Sequence, residues 1–437
     1  MSDHPVQLLV TDDLHRSRLT VFFRLLLAIP LFIWFGLWSI GVFFAAIIGW
    51  FAALFTGRLP EGLHEFFGMY VRYATHVGAY LAIAANPYPS FTGTPGYPVD
   101  VSIPEPQSQP RWKTAIRLVL AIPALLLAAT LGSFVGGGGG SQAAEDGASK
   151  AEWLASSGFG GVAAVCAVLG WFAALALGRM PLGLRNLGAF GIGYTAQAYS
   201  YVLLVTDRYP NSDPEAIGRE WELPPHSVRL ELADDGRRSR LTVFFRLLLA
   251  IPHFIWLALW TITAFLAAIA NGFVALLRGR SADVLHRFLA AYVRYYAHVT
   301  AFVTLVANPF PGFAGSPGYP VDIALDPPEH QNRWITLFRV FLAIPAFIVA
   351  GALSVVLFLI GFLGWFAALA TGRMPTGLRN LGAFAVRYHS QTNAYWFIVT
   401  DDYPHASPAL RPPPEPEPEL ALPAPEPPAA LDEPGLV

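Results

Sequence analysis

Four stretches of this chain carry polar side chains at every fourth position of an otherwise apolar background. They read His64, Gly68, Arg72, His76, Tyr80; then Arg185, Ala189, Gly193, Gln197, Tyr201; then His286, Ala290, Arg294, His298, Phe302; and finally Arg379, Ala383, Arg387, Gln391, Tyr395. On a helix, that spacing keeps neighbouring members on one face, with a small residue near one end that permits close helix approach. Arg72, Arg294 and Arg387 offer guanidinium groups that hold an anion through paired N–H bonds. His76 and His298 follow their arginines by four residues, as a proton relay or a metal pair would require, although no carboxylate or cysteine accompanies them within the stripe. A hydrogen-bonded structural histidine is the plainer reading. The candidate ligand-binding set is therefore Arg72, His76, Arg294, His298, Arg387 and Gln391, with no metal and no cofactor assigned.

An arginine deep in apolar surroundings costs on the order of 2.5–3.5 kcal/mol unless it is paired or reaches water. No Asp or Glu lies deep within the stripes, since Glu61, Glu65 and Asp283 stand near their starts. The arginines then hold an anionic group such as a lipid phosphate, or snorkel to the surface. Gly193 takes the arginine position of the second stripe, which excludes a fourfold ring. Asp207 and Asp401 sit at Asp-x-Tyr-Pro closures, where a helix stop with an Asx turn accounts for them. The chain has no Gly-rich phosphate loop, nucleophile elbow or His-Glu-x-x-His, so no catalytic residue is assigned and an enzyme is not expected.

What must position these residues follows from composition. Of 437 residues, 54% are hydrophobic and 13% charged, with a net charge of −2 and a single cysteine, Cys166. That is about half the charge of a soluble domain. It leaves no basic field for nucleic acid and no intramolecular disulfide. The start lacks the charged stub and short apolar core of a cleavable signal, so the membrane segments are expected in the mature protein. From Leu19 to Thr56 the one ionisable residue is Arg24. This exceeds the roughly 18 apolar residues of a membrane helix.

Repeats set the organisation. Arg18 to Pro30 returns letter for letter as Arg240 to Pro252. An arginine six residues before a proline recurs at Arg24/Pro30, Arg117/Pro123, Arg246/Pro252 and Arg339/Pro345. Gly-Trp-Phe-Ala-Ala-Leu-x-x-Gly-Arg stands at 49–58, 170–179 and 364–373, with a weaker Asn271 to Arg280. Asn86, Asp207, Asn308 and Asp401 open the closures, each followed two residues later by an aromatic and then proline. The chain thus divides into units 1–94, 95–215, 225–316 and 317–407, in an A-B-A′-B′ order.

Within a unit, Leu19 to Thr56 would be about 57 Å as one helix, against a hydrocarbon core of about 30 Å. Pro30 is the expected break. Ser17 to Ile29 is then an interfacial helix, with Arg24, Arg117, Arg246 and Arg339 reaching headgroups. Pro30 to Thr56 spans, Gly57 to Pro60 turns, and Glu61 to Ala85 returns. Unit two carries a Gly-rich, charged insertion near 133–152, met either by Trp153 to Gly178 serving as the full span or by three membrane segments in every unit. Val6 to Val10, Val99 to Ile103, Val228 to Leu232 and Val321 to Leu325 alternate as half-buried strands and are expected to meet on one face.

The expected fold is an all-α integral membrane protein. It has about eight transmembrane helices in four hairpins threaded in the same sense, interfacial helices and short β-strands on one membrane face. Arginine counts favour cytoplasmic termini. A Pro/Glu-rich tail, 408–437, is expected to be disordered.

The Ala-Ile-Pro run, the Gly-Arg-x-Pro turns at Arg58, Arg179 and Arg373, the Arg-Tyr steps at Arg72 and Arg387, and the Asp-x-Tyr-Pro closures resemble the bacterial membrane family of domain of unknown function 4389, in several copies up to about Pro404. Unit three departs at Gly279-Arg-Ser281 and unit two at Gly193. The resemblance implies a multipass bacterial membrane protein and no particular activity. The residues leave two classes open. One is a non-enzymatic module of the cell membrane that binds lipid, anionic lipid included, or a partner protein. The other is a transporter or channel built from parallel repeats around an inward polar stripe.

Overall fold

The computed structural model describes residues 4–132, 161–218, 221–328 and 330–410. The insertion and positions 411–437 of the tail lie outside them. Units one and three share one plan. A short strand, β1 (Leu8–Val10), leads to a one-turn helix α1 (Arg18–Phe22), an apolar helix α2 (Arg24–Thr56) and a return helix α3 (Glu61–Leu81). Unit two follows with β2 (Val99–Val101), α4 (Arg111–Gly132), α5 (Val162–Leu177) and α6 (Leu182–Val202), then a turn of helix α7 (Pro214–Ile217). Unit three repeats the plan as β3 (Val228–Leu232), α8 (Arg240–Phe244), α9 (Arg246–Arg278) and α10 (Asp283–Val303). Unit four closes with β4 (Val321–Leu325), α11 (Arg333–Thr371) and α12 (Thr376–Trp396).

The apolar helices stop where a left-handed residue is needed. Gly57, Gly178, Gly279 and Gly372 take φ of 75°, 71°, 69° and 73°, conformations that cost an L-residue side-chain strain. The break expected at Pro30 is instead at Phe23. Pro30, Pro252 and Pro345 all lie inside continuous helices, because the carbonyl that a proline orphans is one of many along a long ladder. Among the described residues unit two has two apolar helices here, α4 and α5, whereas unit four runs the corresponding stretch as the single 39-residue α11. Units one, three and four each carry one continuous apolar helix at this place, so three segments are not a property of every unit. Of Trp153 to Gly178, the described part is helical from Val162.

Among the described residues, four helices, α2, α4, α9 and α11, are long and apolar enough to cross a membrane, which points to a membrane protein. The return helices lie between them and the strands. Thus α3 packs on α2 and β2, α10 on α9 and β4, and α12 on α11 and β3. The strands do not form one sheet. β1 pairs antiparallel with β2 (Leu9 opposite Asp100), and β3 with β4 (Glu231 opposite Asp322), giving two separate hairpin-like pairs.

The units are not threaded in one sense. The Arg16 amide bonds the Gly178 carbonyl at the turn of unit two, while the Arg16 side chain bonds the Ile83 carbonyl at the end of unit one. Reciprocally, the Gln109 amide bonds Gly57 at the turn of unit one, and its side chain bonds Leu204 at the end of unit two. The two units of a half are thus head to tail about a local twofold axis. Units three and four repeat this through Arg238 and Gln331. The halves meet in the same manner, with Asn186 bonding Ser407 at 2.7 Å and Asn380 bonding Asp213 at 2.8 Å. Local hydrophobic periodicity cannot reveal this reversal, because an apolar helix reads the same in both directions.

Candidate functional site

Each stripe faces the strand layer, and the missing acid comes from there. Asp100 on β2 receives the His76 Nε2 at 2.9 Å and lies 3.3 Å from Arg72 Nε. Its second oxygen accepts the Gly96 amide at 2.9 Å, and the Val101 amide reaches the first at 2.7 Å. Arg72 also points Nε at the Val101 carbonyl, 3.4 Å away, and the His76 ring lies 4.6 Å from that of Tyr97. Unit three reproduces the arrangement, with His298 at 2.9 Å and Arg294 at 3.3 Å from Asp322. Burial alone would raise these carboxyls, but the histidine bond and two amides outweigh it and hold Asp100 and Asp322 below the ordinary carboxylate range.

The alternation of Val99-Asp-Val makes Asp100 a solvent-facing strand residue, yet Asp100 is 6% exposed and Asp322 3%. The available signal was an aspartate in both A-to-B connectors at a place where β1 and β3 carry none. A carboxylate holding an imidazole is half of a general-base pair, and here the imidazoles are buried, His76 at 1% and His298 at 2% exposure. What the triad does in this geometry is clamp the connector strand to the middle of the return helix.

The B units clamp without charge. Gln197 donates to the Val6 carbonyl at 2.9 Å and accepts the Asn211 amide at 3.0 Å. Gln391 does the same with Val228 (3.1 Å) and His405 (3.1 Å). Arg387 turns to the start of the tail, donating to the carbonyls of Ser407 (2.5 Å), Ala409 (2.8 Å) and His405 (3.1 Å). Residues 408–410, expected to belong to the disordered tail, are therefore packed. At Gly193 an added Cβ would stand 2.8 Å from Ile217, so α7 occupies the space that a guanidinium holds elsewhere.

The arginines expected at headgroups are buried helix caps. Arg24 donates to Tyr80 and Ala85 carbonyls at 2.6 and 3.2 Å, reaches Asn86 and covers the Tyr80 ring. Arg246 treats Phe302, Ala307 and Asn308 alike. Arg117 binds Tyr201, Thr206 and Asp207, and Arg339 binds Tyr395, Thr400 and Asp401. The reason is the orphaned carbonyls that every helix end presents. Just beyond them Ile83, Leu204, Leu305 and Ile398 turn left-handed, with φ between 56° and 64°. The Arg-x5-Pro and [Asn/Asp]-x-aromatic-Pro signatures are thus two sides of one contact.

Three further features escape sequence reasoning. Arg16 and Arg238 form buried ion pairs with Asp12 and Asp234, at 2.7 and 2.9 Å. A crevice of about 450 Å³ opens between the halves, lined by Pro123, Leu127, Tyr194, Tyr209, Leu363 and Phe366, with Asn211 and Ser212 at its polar margin. A smaller apolar groove of about 240 Å³ lies beside Leu247, Phe358, Phe362 and Trp365.

No curated protein and no solved structure matches the chain. The fourfold cap, the four glycine-terminated apolar helices and the four polar return helices are instead the marks of a repeated domain. The model of the domain of unknown function 4389 family matches residues 18–93, 153–212, 240–314 and 333–407, more than half of the sequence, and the chain belongs to that family in four tandem copies.

Proposed function

We propose that this protein is a non-enzymatic membrane module that binds lipid, holding acyl chain in the crevice between its halves, with both termini on the cytoplasmic side. The observation that carries the reading is where the stripe's polar groups are used. Arg387, Gln197 and Gln391 are bonded to backbone, and Arg72, His76, Arg294 and His298 to the connector aspartates. The large recess left open is apolar, and its volume lies within the roughly 300–1,000 Å³ of small-ligand sites. Arg72 and Arg294 keep side-chain exposures of 17% and 18%, which leaves them, rather than Arg387, for an anionic headgroup to approach. Native mass spectrometry of protein released from native nanodiscs tests this. Leu127→Trp with Ala367→Trp fills the crevice and should abolish retained lipid, while Arg72→Lys should lower only the share of anionic species. Unchanged lipid in the filled variant overturns the proposal.

The head-to-tail units favour a second reading, a transporter of inverted repeats. It requires water at the stripe, so cysteines placed at Gln197, Gln391 and His298 should react with impermeant thiol reagents. Protection at all three leaves the lipid-binding module.

A further inference from the structure

We infer that the protein is seated in one leaflet, its long helices running along the membrane plane, with the apolar helices among acyl chains and the β-pairs in water. The inference rests on the membrane reading above and adds its geometry. Two independent observations carry it.

The first is symmetry. The local twofold that reverses unit one onto unit two runs through the stack from the β1–β2 pair, across the return helices, to the apolar layer. The stack itself is polar on one side and apolar on the other. The outward side of the β3–β4 pair carries an exposed Arg229–Asp326 ion pair at 2.7 Å, with Glu231 beside it. Among the apolar helices, Ile33, Phe43, Phe44, Ile48, Phe265 and Phe358 are all exposed. With the twofold along the membrane normal, every unit presents its apolar side to lipid and its strand side to water. Upright helices would put the axis in the bilayer plane and the strands at mid-depth, where each unshielded charge costs on the order of 2.5–3.5 kcal/mol.

The second is length. α2 and α9 have 33 residues each and α11 has 39, so they measure about 50 and 58 Å against a hydrocarbon core of about 30 Å. Laid flat, a helix layer about 10 Å thick fits within one leaflet.

The test uses full-length protein with Cys166→Ser, carrying single cysteines at exposed turns. Arg58→Cys and Arg179→Cys mark opposite ends of the first half, and Arg280→Cys and Arg373→Cys those of the second. Glu231→Cys marks the strand layer. In sealed right-side-out and inverted vesicles, an impermeant maleimide should label all five from one and the same side. Labelling of Arg58→Cys and Arg179→Cys from opposite sides overturns the inference, and the second pair decides it in the same way should the first fold poorly. Opposite-side labelling with crevice lipid retained removes the seating alone. Same-side labelling with no retained lipid removes the lipid-binding proposal alone.

Discussion

The A-type clamp of units one and three and the B-type clamp of units two and four solve one problem with different chemistry. Both fasten a connector to the middle of a polar return helix. The A clamp does so with a buried carboxylate shared by histidine and arginine; the B clamp does so with one glutamine amide that donates and accepts at once. The difference teaches that the charge in these stripes is not required for fastening. It makes the A contact strong but intolerant, because removing one ion leaves another buried and unpaired.

Asp322→Ala should accordingly lose about 3–5 kcal/mol, since it strands Arg294 and His298 together. Thermal unfolding in detergent would show it as the largest shift of any stripe variant, and a shift no greater than that of Gln391→Ala would erase the distinction. Gln391→Ala itself should cost about 1–3 kcal/mol, because the carbonyl of Val228 and the amide of His405 lose neutral partners.

The clamps should also separate by pH. Near the unit-four clamp, burial, with Asp402 opposing it and Arg387 adding to it, pushes His226 down to about 4. Burial with Arg387 and His226 does the same for His405. Both are neutral in the folded state, so their contribution is complete above about pH 6.5 and is lost as pH falls from there toward 4. The depressed Asp100 and Asp322 instead contribute above about pH 4 and lose it as pH falls further. Melting temperature followed from pH 7 to 3 should fall in two stages. His405→Gln should remove part of the earlier stage and leave the later one, and loss of both together would break the assignment.

The smallest effect concerns unit three, where Asn271 and Ser281 stand in place of the glycine and the large apolar residue of the other turns. They bond each other at 3.0 Å, and Asn271 reaches the Ile398 carbonyl at 3.0 Å. Asn271→Gly should cost about 1 kcal/mol. Asn271→Gly with Ser281→Met should recover it, since the pair then matches units two and four; additive loss in the double variant would show that the two positions are independent.

Much of this was legible beforehand. The unit signatures, the glycine stops and the polar return helices follow from spacing, and the family assignment from motifs in constant order. Asp100 was visible as a residue and illegible as a partner. Strand alternation assigns a face only when one knows what covers the other, and here the turn at Gly96 and Tyr97 folds back onto Asp100 and His76. Arg24 was misplaced for a related reason. An arginine at the head of an apolar run reaches headgroups or caps a neighbouring helix end according to whether such an end is near, and nearness is not written in one segment.

Composition and repetition alone determined that this is a fourfold membrane-associated helical chain, because hydrophobic length and motif recurrence are local properties. Only the tertiary structure decided that alternate units run in reverse and that one signature's arginine closes another's helix. Those facts depend on which chain ends meet, and hydrogen bonds between segments as far apart as Arg16 and Gly178 leave no periodic trace in either.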